Sequence, residues 1–314
     1  MNMLWREYLV ICVMILSLIG ISFYLYPIER LDSIQVDLND VVTTSVKLNN
    51  SREDVVYFSF DLRLSPKAEI EIYAPLMDYL SAKVGKQFRI KFAQTYEEVQ
   101  YMLGTGEVSF AAIGPVNYVV TQKKYGNVIP IVIGLDSNKS PVYRAAIITR
   151  PDSNIMTLED IKNRSFAFGS FYSTQGHLIP RIMLERAGVK LEDLERYAFL
   201  GSHQACAQAV ISGLFDAGGV QDTLAFHLES KGLVRIVALS EPYPRSMIVA
   251  NKNIEPELIE KVKSALLELD PLGKDANLTD WDKTEFSGGF KEVNQEFYRM
   301  YFELVGKYIM GEFS

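Results

Sequence analysis

From residue 55 onward, short apolar runs alternate with segments of helical periodicity, and this alternation restricts the fold more than any other feature. Between the first two apolar runs, Tyr73, Leu76 and Leu80 recur at helical spacing, and the pattern ends near Gly85. The runs with the length of buried strands are residues 55–60, 88–92, 108–114 and 128–134. This β-α-β-α-β order predicts parallel pairing in a sheet covered on both faces.

The same alternation starts a second time inside the chain. Residues 142–149 form a long strand-like run with no helix before it, which predicts a segment that crosses between domains. About 90 residues of renewed strand–helix alternation follow. Residues 247–252 then predict the return crossing, and helices are predicted at 255–269 and 291–309.

The chain is therefore predicted to be an α/β protein with two hinged lobes. Lobe 1 is discontinuous and comprises residues 55–145 and 246–314, and lobe 2 is inserted between them as residues 146–245. We expect a ligand to bind between the lobes, because strand ends and helix N-termini converge there. Rotation about the two crossing segments would open and close such a cleft.

A long apolar run precedes these domains, since no charged side chain occurs from Tyr8 to Ile28. About 19 apolar residues span about 28 Å as a helix, close to the hydrocarbon thickness of a bilayer. Residues 1–28 are predicted to be a transmembrane signal anchor, and the polar residues 29–54 a spacer. A signal peptide cleaved after Ser22 is the alternative. Both the uncleaved anchor and the cleaved signal peptide predict that the lobes lie in the periplasm or an equivalent extracytoplasmic space.

Charge and motif content argue against several function classes. The formal net charge is −7 with no basic run, which argues against nucleic acid as a partner. Nucleophile-elbow, P-loop, zinc-protease and dinucleotide-binding motifs do not occur, and three histidines with two cysteines do not indicate a metal cage. We predict a binding protein that is not an enzyme and that needs no cofactor or metal. An enzyme of unrecognised type stays open as an alternative.

Two strand-to-helix transitions carry the polar residues of greatest interest. In residues 170–177 a strand ends, and Ser173 and Thr174 open a helix. In residues 201–210 a strand again ends at a glycine, and His203 lies in the first turn of the next helix. Free N–H groups and the helix dipole at such openings bind a tetrahedral oxyanion without Lys or Arg. Ordinary N-capping is the alternative for either segment alone, but two openings in one lobe favour an anion site.

Several short motifs also occur in an order typical of one protein family. They include Ser-Thr-Gln-Gly (173–176), Gly-Ser-His (201–203), Gly213-x-x-Asp216-Ala-Gly218, Gly114-Pro115-x-x-Tyr118 and Pro75-Leu76-x-x-Tyr79-Leu80. The ordered set resembles the phosphate/phosphite/phosphonate-binding proteins of ABC importers and covers residues 55 to 305. The resemblance implies the type II periplasmic binding fold.

The resemblance also implies roles for four residues of lobe 2. The hydroxyls and backbone amides of Ser173 and Thr174 would hold the oxyanion, and His203 would contact the same anion. The family usually has a third hydroxyl where this chain has Gln175. The longer amide either reaches the ligand or fills the space of a ligand substituent.

Three further candidates complete the expected site. Tyr96 matches a tyrosine that the family places soon after the second strand, and Tyr118 is a candidate at the lip of the cleft. Core or rim packing is the alternative for both. Asp222 matches an acidic residue of relatives that bind aminoalkyl phosphonates, where it would accept a proton from P–OH or from an ammonium group. A helix N-cap is its alternative, and His177 and His227 are expected on solvated helix faces.

The function predicted from the sequence is capture of a small phosphorus oxyanion by an extracytoplasmic solute-binding protein. The ligand would be a phosphonate, phosphite or phosphate, and the protein would deliver it to an ABC permease in the inner membrane. Lobe closure would bury the anion and create the shape that the permease recognises. A membrane-anchored sensor of the same fold, signalling to a kinase or regulator, is the alternative.

Overall fold

Two mixed sheets form the framework of the chain, and a computed structural model describes them within residues 55–278, 280–293 and 295–311. The predicted anchor, residues 1–28, and the predicted spacer, residues 29–54, lie outside the described residues. Within the described part of the chain, no helix has both the length and the apolar character needed to cross a membrane.

Strands and helices alternate through both sheets. The strands are β1 (Val56–Phe60), β2 (Phe88–Ile90), β3 (Phe110–Ile113), β4 (Val128–Leu135), β5 (Val142–Tyr143), β6 (Ala145–Thr149), β7 (Ser165–Phe168), β8 (Arg196–Phe199), β9 (Ala217–Gln221), β10 (Arg235–Leu239), β11 (Tyr243–Pro244), β12 (Met247–Asn251) and β13 (Gly289–Glu292). The α-helices are α1 (Pro66–Val84), α2 (Tyr96–Thr105), α3 (Pro115–Tyr125), α4 (Ile179–Arg186), α5 (His203–Ile211), α6 (Asp222–Ser230), α7 (Pro256–Glu268) and α8 (Arg299–Val305). π-Helical turns at Thr174–Leu178 and Gly306–Met310 adjoin α4 and α8.

The first sheet has six strands in the order β13-β4-β12-β3-β1-β2. Strand β1 pairs in parallel with β2 and β3, as the β-α-β order predicts. Strand β12 lies between β3 and β4 and is antiparallel to both, so β3 and β4 are not neighbours. The run predicted as the return crossing, residues 247–252, is therefore mostly a buried strand of this sheet.

The second sheet has five strands in the order β10-β6-β9-β7-β8. Strand β7 is parallel to β8 and β9, whereas β6 is antiparallel to β9 and β10. Between the two sheets, β5 and β11 pair as a separate antiparallel ribbon, with Tyr143 opposite Tyr243. Both connections between the sheets run through this ribbon, which is the position expected of a hinge and is named the hinge ribbon below.

Helices cover both faces of the first sheet, and one of its two cores continues into the second lobe. Helices α1 and α7 pack on one face, and α2, α3 and α8 pack on the other. The second of these cores also contains Leu178, Ile179 and Ile182 from the second lobe. The predicted helix over 291–309 is wrong at its start, because Gly289–Glu292 pairs with β4 as a strand.

Capping residues decide where the helices near the cleft begin. The hydroxyl of Ser65 accepts the N–H of Ala68 at 3.4 Å at the start of α1, which ends at Gly85 with a φ of 75°. The hydroxyl of Thr95 accepts the N–H of Glu98 at 3.2 Å at the start of α2. This second cap fixes Tyr96 at the first position of its helix.

Candidate functional site

The cleft between the lobes narrows to a small cavity where strands end and helices begin. The cavity has a volume of about 10 Å³, room for about one water molecule. A backbone hydrogen bond from the N–H of Gln204 to the carbonyl of Arg63, at 3.1 Å, joins the lobes beside it. The lobes are therefore closed on each other. The cavity is lined by Asp61, Arg63, Tyr96, Gly114, Tyr143, Ser173, Thr174, Gln175, His203, Ser246 and Glu285.

The hydroxyls of lobe 2 lie at the turn that follows β7. Ser173 caps this π-turn, and its Oγ accepts the N–H of Gly176 at 2.9 Å. The Oγ1 of Thr174 accepts the N–H of Val116, at the start of α3 in lobe 1, at 3.1 Å. Thr174 therefore bridges the cleft. Gly176 is required at its position, because a Cβ there would lie 2.9 Å from Ser173 Oγ and 3.1 Å from the His203 ring.

His203 opens α5 and faces the cavity as a neutral imidazole. Burial, assisted by the positive charge of Arg63, lowers the pKa of His203 to about 3. Its Nε2 lies 3.4 Å from the Oγ of Ser173, and its Nδ1 has no hydrogen-bond partner among the described residues. A neutral imidazole carries one N–H, and the tautomer decides which nitrogen donates to a ligand.

Two tyrosines supply hydroxyls from the lobe 1 side and the hinge ribbon. Tyr96, at the start of α2, is buried, and burial raises its pKa well above the usual value. Tyr143 lies in strand β5 of the hinge ribbon, and its hydroxyl has no hydrogen-bond partner among the described residues. Because both phenols stay protonated at neutral pH, both are able to donate hydrogen bonds to an anion.

Gln175 and Asp222 form a network with the backbone at the end of the hinge ribbon. The Nε2 of Gln175 donates to the carbonyl of Arg144 at 2.7 Å and lies 3.4 Å from Asp222 Oδ1. The other oxygen of Asp222 accepts the N–H of Arg144 at 2.8 Å. The amide nitrogen of Gln175 is thus committed to the backbone at the end of the hinge ribbon, and Asp222 does not line the cavity.

An acidic group lies opposite the hydroxyls. Asp61 is completely buried; its Oδ2 accepts the N–H of Gly114 at 2.8 Å and its Oδ1 accepts the amide of Asn117 at 2.5 Å. Nη2 of Arg63 lies 3.3 Å from Glu285 Oε2 and 3.9 Å from Asp61 Oδ2. Burial raises the pKa of Asp61 to about 7, although Arg63 and the two hydrogen bonds act in the opposite direction.

The closed cleft, with hydroxyls and a neutral imidazole opposite one buried arginine, has the chemistry of a small-anion site. The family model described as "ABC transporter, phosphonate, periplasmic substrate-binding protein" matches residues 58–298. The chain belongs to this family. Its relatives are the substrate-binding proteins of ABC importers and are not enzymes.

Two curated relatives of this binding protein match at 27% identity. One is a phosphate-import protein of Mycolicibacterium smegmatis, aligned over 232 residues that cover 69% of this chain and 70% of the relative. The other is a probable ABC transporter phosphite binding protein of Prochlorococcus marinus, aligned over 236 residues that cover 70% of this chain and 75% of the relative.

Solved structures share the two-lobe fold of the binding protein. A Prochlorococcus marinus protein in complex with methylphosphonate has a TM-score of 0.73 at 21% identity and covers 81% of this chain and 97% of its own. A binding-protein component of an ABC phosphonate transporter from Pseudomonas aeruginosa has a TM-score of 0.71 at 20% identity, covering 80% of this chain and 85% of its own. These likenesses confirm the predicted α/β fold with two lobes.

The structure brings five of the seven candidate residues of the binding protein to one cavity, namely Tyr96, Ser173, Thr174, Gln175 and His203. Asp222 lies behind Gln175. Tyr118 packs against Tyr298 and Phe302 in the core of lobe 1, with ring centroids 6.2 Å apart in both pairs, and does not line the cavity.

The expectation for His177 is wrong, whereas His227 is exposed as expected. His177 is completely buried between the rings of Phe168 and Phe171, and its Nδ1 lies 2.7 Å from the carbonyl of Phe171. His177 belongs to the π-helical turn Thr174–Leu178, whose residues are buried. The prediction assumed an α-helix with a solvated face at this position.

Sequence reasoning missed six residues of the cavity lining, namely Asp61, Arg63, Gly114, Tyr143, Ser246 and Glu285. Asp61 and Arg63 directly follow β1, and Gly114 directly follows β3. The rule that ligands bind at the carboxyl ends of parallel strands was the available signal for these three. Glu285 follows a 3-10 turn and has no comparable sequence signal.

Proposed function

We propose that this chain captures a small phosphorus oxyanion in the cleft by lobe closure and delivers it to an ABC permease. The ligand is a phosphonate, a phosphite or a phosphate. The site holds the anion with the hydroxyls of Ser173 and Thr174, the imidazole of His203 and the phenols of Tyr96 and Tyr143.

The observation that carries this proposal is the set of buried polar atoms without a hydrogen-bond partner that belong to residues lining the cavity. They include Nδ1 of His203 and the hydroxyl of Tyr143, both among the described residues. A buried donor that is left unpaired costs about 1–3 kcal/mol, so such atoms are expected where a ligand completes the hydrogen bonding. Arg63 is the buried cation of the cavity.

Closure couples ligand binding to the shape of the molecule. Thr174 of lobe 2 contacts Val116 of lobe 1, and Gln204 contacts Arg63, so the groups that line the cavity belong to the same contacts that hold the lobes together. A ligand that contacts both lobes binds the closed state more tightly and shifts the population toward it. The permease would then distinguish loaded from empty protein by this shape.

The proposed location is extracytoplasmic, with the apolar run from Tyr8 to Ile28 as the membrane anchor. The same run favours one alternative function, a membrane-anchored sensor that passes lobe closure to a kinase or regulator. Pull-down of the full chain from membranes distinguishes the two proposals. Recovery of a permease supports transport, and recovery of a kinase supports sensing.

The ligand is tested by thermal unfolding and titration calorimetry on the full chain with phosphate, phosphite, methylphosphonate and 2-aminoethylphosphonate. A ligand present at about 100 times its Kd stabilises the folded state by about 2.7 kcal/mol. Sulfate serves as the non-phosphorus control. No stabilisation by any of the four phosphorus compounds would contradict the proposed function.

A further inference from the structure

The anion cavity also contains two carboxyl groups, which a purely electrostatic anion site would avoid. Asp61 and Glu285 are 0% and 3% exposed, and both line the cavity together with the hydroxyls. Oε2 of Glu285 has no hydrogen-bond partner among the described residues, although Arg63 lies 3.3 Å from it. The acidic side of the cleft therefore needs an explanation that includes the charge of the ligand.

The carboxyl of Asp61 and the hydroxyl cradle meet beside Gly114. The point where a Cβ of Gly114 would stand is 3.4 Å from Thr174 Oγ1, 3.6 Å from Asp61 Oδ2 and 3.9 Å from Ser246 Oγ. Thr174 and Asp61 line the same small cavity, so an oxyanion that fills it and binds the hydroxyl of Thr174 is placed beside the carboxyl of Asp61. Two anionic oxygens at hydrogen-bond distance repel each other unless a proton lies between them.

The positive charge of Arg63 does not remove the repulsion between the Asp61 carboxylate and the bound oxyanion. Arg63 is the cation of the cavity and lies closer to Glu285, at 3.3 Å, than to Asp61, at 3.9 Å. His203 is neutral at physiological pH, as described above. The titratable groups that face Asp61 or share its cavity are Arg63 on the same segment, Tyr73 of α1, Tyr96 of α2, Tyr143 of β5, His203 of α5 and Glu285 before β13.

We propose that Asp61 shares a proton with the bound oxyanion, so that the cleft takes up its ligand together with one proton. This inference rests on the proposed function and specifies its ligand class as a tetrahedral phosphorus oxyanion that carries one acidic O–H in the complex. When the ligand arrives as a dianion, the proton comes from the solvent. It then forms an O–H···O hydrogen bond between Asp61 and the ligand, and no covalent bond to phosphorus changes.

The carboxyl is suited to this task in the closed protein. Burial raises the pKa of Asp61 to about 7, so the carboxyl takes up a proton more readily than an exposed aspartate does. A second negative charge at hydrogen-bond distance favours the protonated form further. The Gly114 and Asn117 donors hold the carboxyl in place in either protonation state.

Titration calorimetry in two buffers of different ionisation enthalpy measures the proton directly. Full-length protein is titrated with methylphosphonate at about pH 9, where neither the ligand nor Asp61 carries a proton, and uptake of about one proton per ligand is expected. The affinity is expected to fall about tenfold per pH unit above about pH 8. Asp61→Asn is expected to abolish both effects, whereas Asp152→Asn, at an exposed carboxyl outside the cleft, keeps both.

Several outcomes would overturn the assignment. Binding by wild-type protein without proton uptake at about pH 9 contradicts it, as does uptake that persists in Asp61→Asn. Uptake that is lost in Glu285→Gln and kept in Asp61→Asn assigns the proton to Glu285 instead. If Asp61→Asn lacks cooperative unfolding, Asp61→Ser replaces it. Failure of methylphosphonate to bind at neutral pH, together with phosphate and phosphite, contradicts the proposed function and not this inference alone.

Discussion

Single side chains decide whether the cleft holds an anion, and His203 is one of them. His203 is 2% exposed and lines the cavity, and its Nδ1 has no hydrogen-bond partner among the described residues. His203→Ala is expected to weaken, by about 1–3 kcal/mol, binding of the phosphorus oxyanion that stabilises the protein. This is the range for a buried hydrogen-bonding group whose partner is removed. Titration calorimetry measures the change. His227→Ala, at an exposed position of α6, is the matched control, and equal affinities for the two variants would show that the site lies elsewhere.

His177 makes a separate prediction about acid stability. Burial lowers the pKa of His177 to about 4, whereas an unfolded histidine titrates near 6.5. Between these values the unfolded state binds the proton and the folded state does not, so the contribution of His177 to stability is lost as the pH falls below about 6.5. His177→Phe is therefore expected to gain about 1.4 kcal/mol relative to wild type for each pH unit between about 6.5 and 4.

Urea unfolding of both proteins at several pH values checks the histidine prediction. The difference between the variant and wild type is the relevant quantity, because Asp61 and His203 titrate in the same range and cancel in it. A difference that does not change between pH 7 and pH 5 would mean that His177 is not held neutral in the folded protein. His227→Phe, at an exposed site, is expected to show no such slope.

The site residues that sequence reasoning found in lobe 2 carry a helix-capping signal, which Arg63 and Glu285 lack. Ser173, Thr174 and His203 lie at strand-to-helix transitions, where capping chemistry and anion chemistry use the same residue types. Arg63 and Glu285 lie in loops whose polar residues show no periodicity. The carboxyl end of β1 was a usable signal for Arg63, whereas the placement of Glu285 depends on how the first sheet is ordered, which no local pattern reveals.

Among the secondary-structure elements, the C-terminal segment connects the lobes outside the cleft. The hydroxyl of Tyr308 donates to Glu185 Oε2 of α4 at 3.0 Å, and the Tyr308 carbonyl accepts Nη1 of Arg181 at 3.2 Å. The same segment contacts the hinge ribbon, since the Tyr301 hydroxyl donates to the carbonyl of Pro244 at 3.1 Å. Through these contacts, α8 and the π-turn after it bind both to α4 of lobe 2 and to the hinge ribbon between the sheets.

Tyr308→Phe removes one hydrogen bond between the lobes without changing the cavity. We expect this bond to form only when the lobes are closed, so that its loss weakens closure and lowers ligand affinity by about 0.5–1.5 kcal/mol. Calorimetry measures the affinity. Tyr101→Phe, at an exposed tyrosine of α2, controls for the loss of a hydroxyl, and an unchanged affinity for Tyr308→Phe would show that this contact does not limit closure.

The element boundaries show what periodicity can and cannot predict. The helix predicted at 255–269 is found at Pro256–Glu268. Its strong apolar stripe and the proline at its first position both indicate a helix over the same residues. The segment predicted to begin a helix at residue 291 still belongs to strand β13 there. This strand forms because the edge of β4 is free to pair with it. Likewise, β12 pairs between β3 and β4, although more than 100 residues separate it from either strand in the sequence. Long-range pairing of this kind overrides local pattern.

At the scale of the whole molecule, the net charge of −7 does not decide what the cleft binds. The groups proposed to contact the ligand are hydroxyls, phenols, a neutral imidazole and the proton-sharing carboxyl of Asp61, and the buried cation Arg63 is already paired with Glu285. Binding should therefore depend little on long-range attraction between the protein and the anion. A site built from exposed lysines or arginines would behave differently, because salt screens such attraction.

Raising the salt concentration from about 0.05 to about 0.5 M shortens the Debye length from about 14 to about 4 Å and removes most long-range electrostatics. We expect the Kd of the responding ligand to change by less than about twofold, since the acidic surface offers no attraction to lose and the buried contacts are not screened. Calorimetry with sodium chloride checks this, and a 2-aminoethylphosphonate titration shows whether a zwitterion behaves alike. A tenfold loss of affinity would indicate recognition by exposed cations, which is incompatible with the buried neutral donors of the cavity.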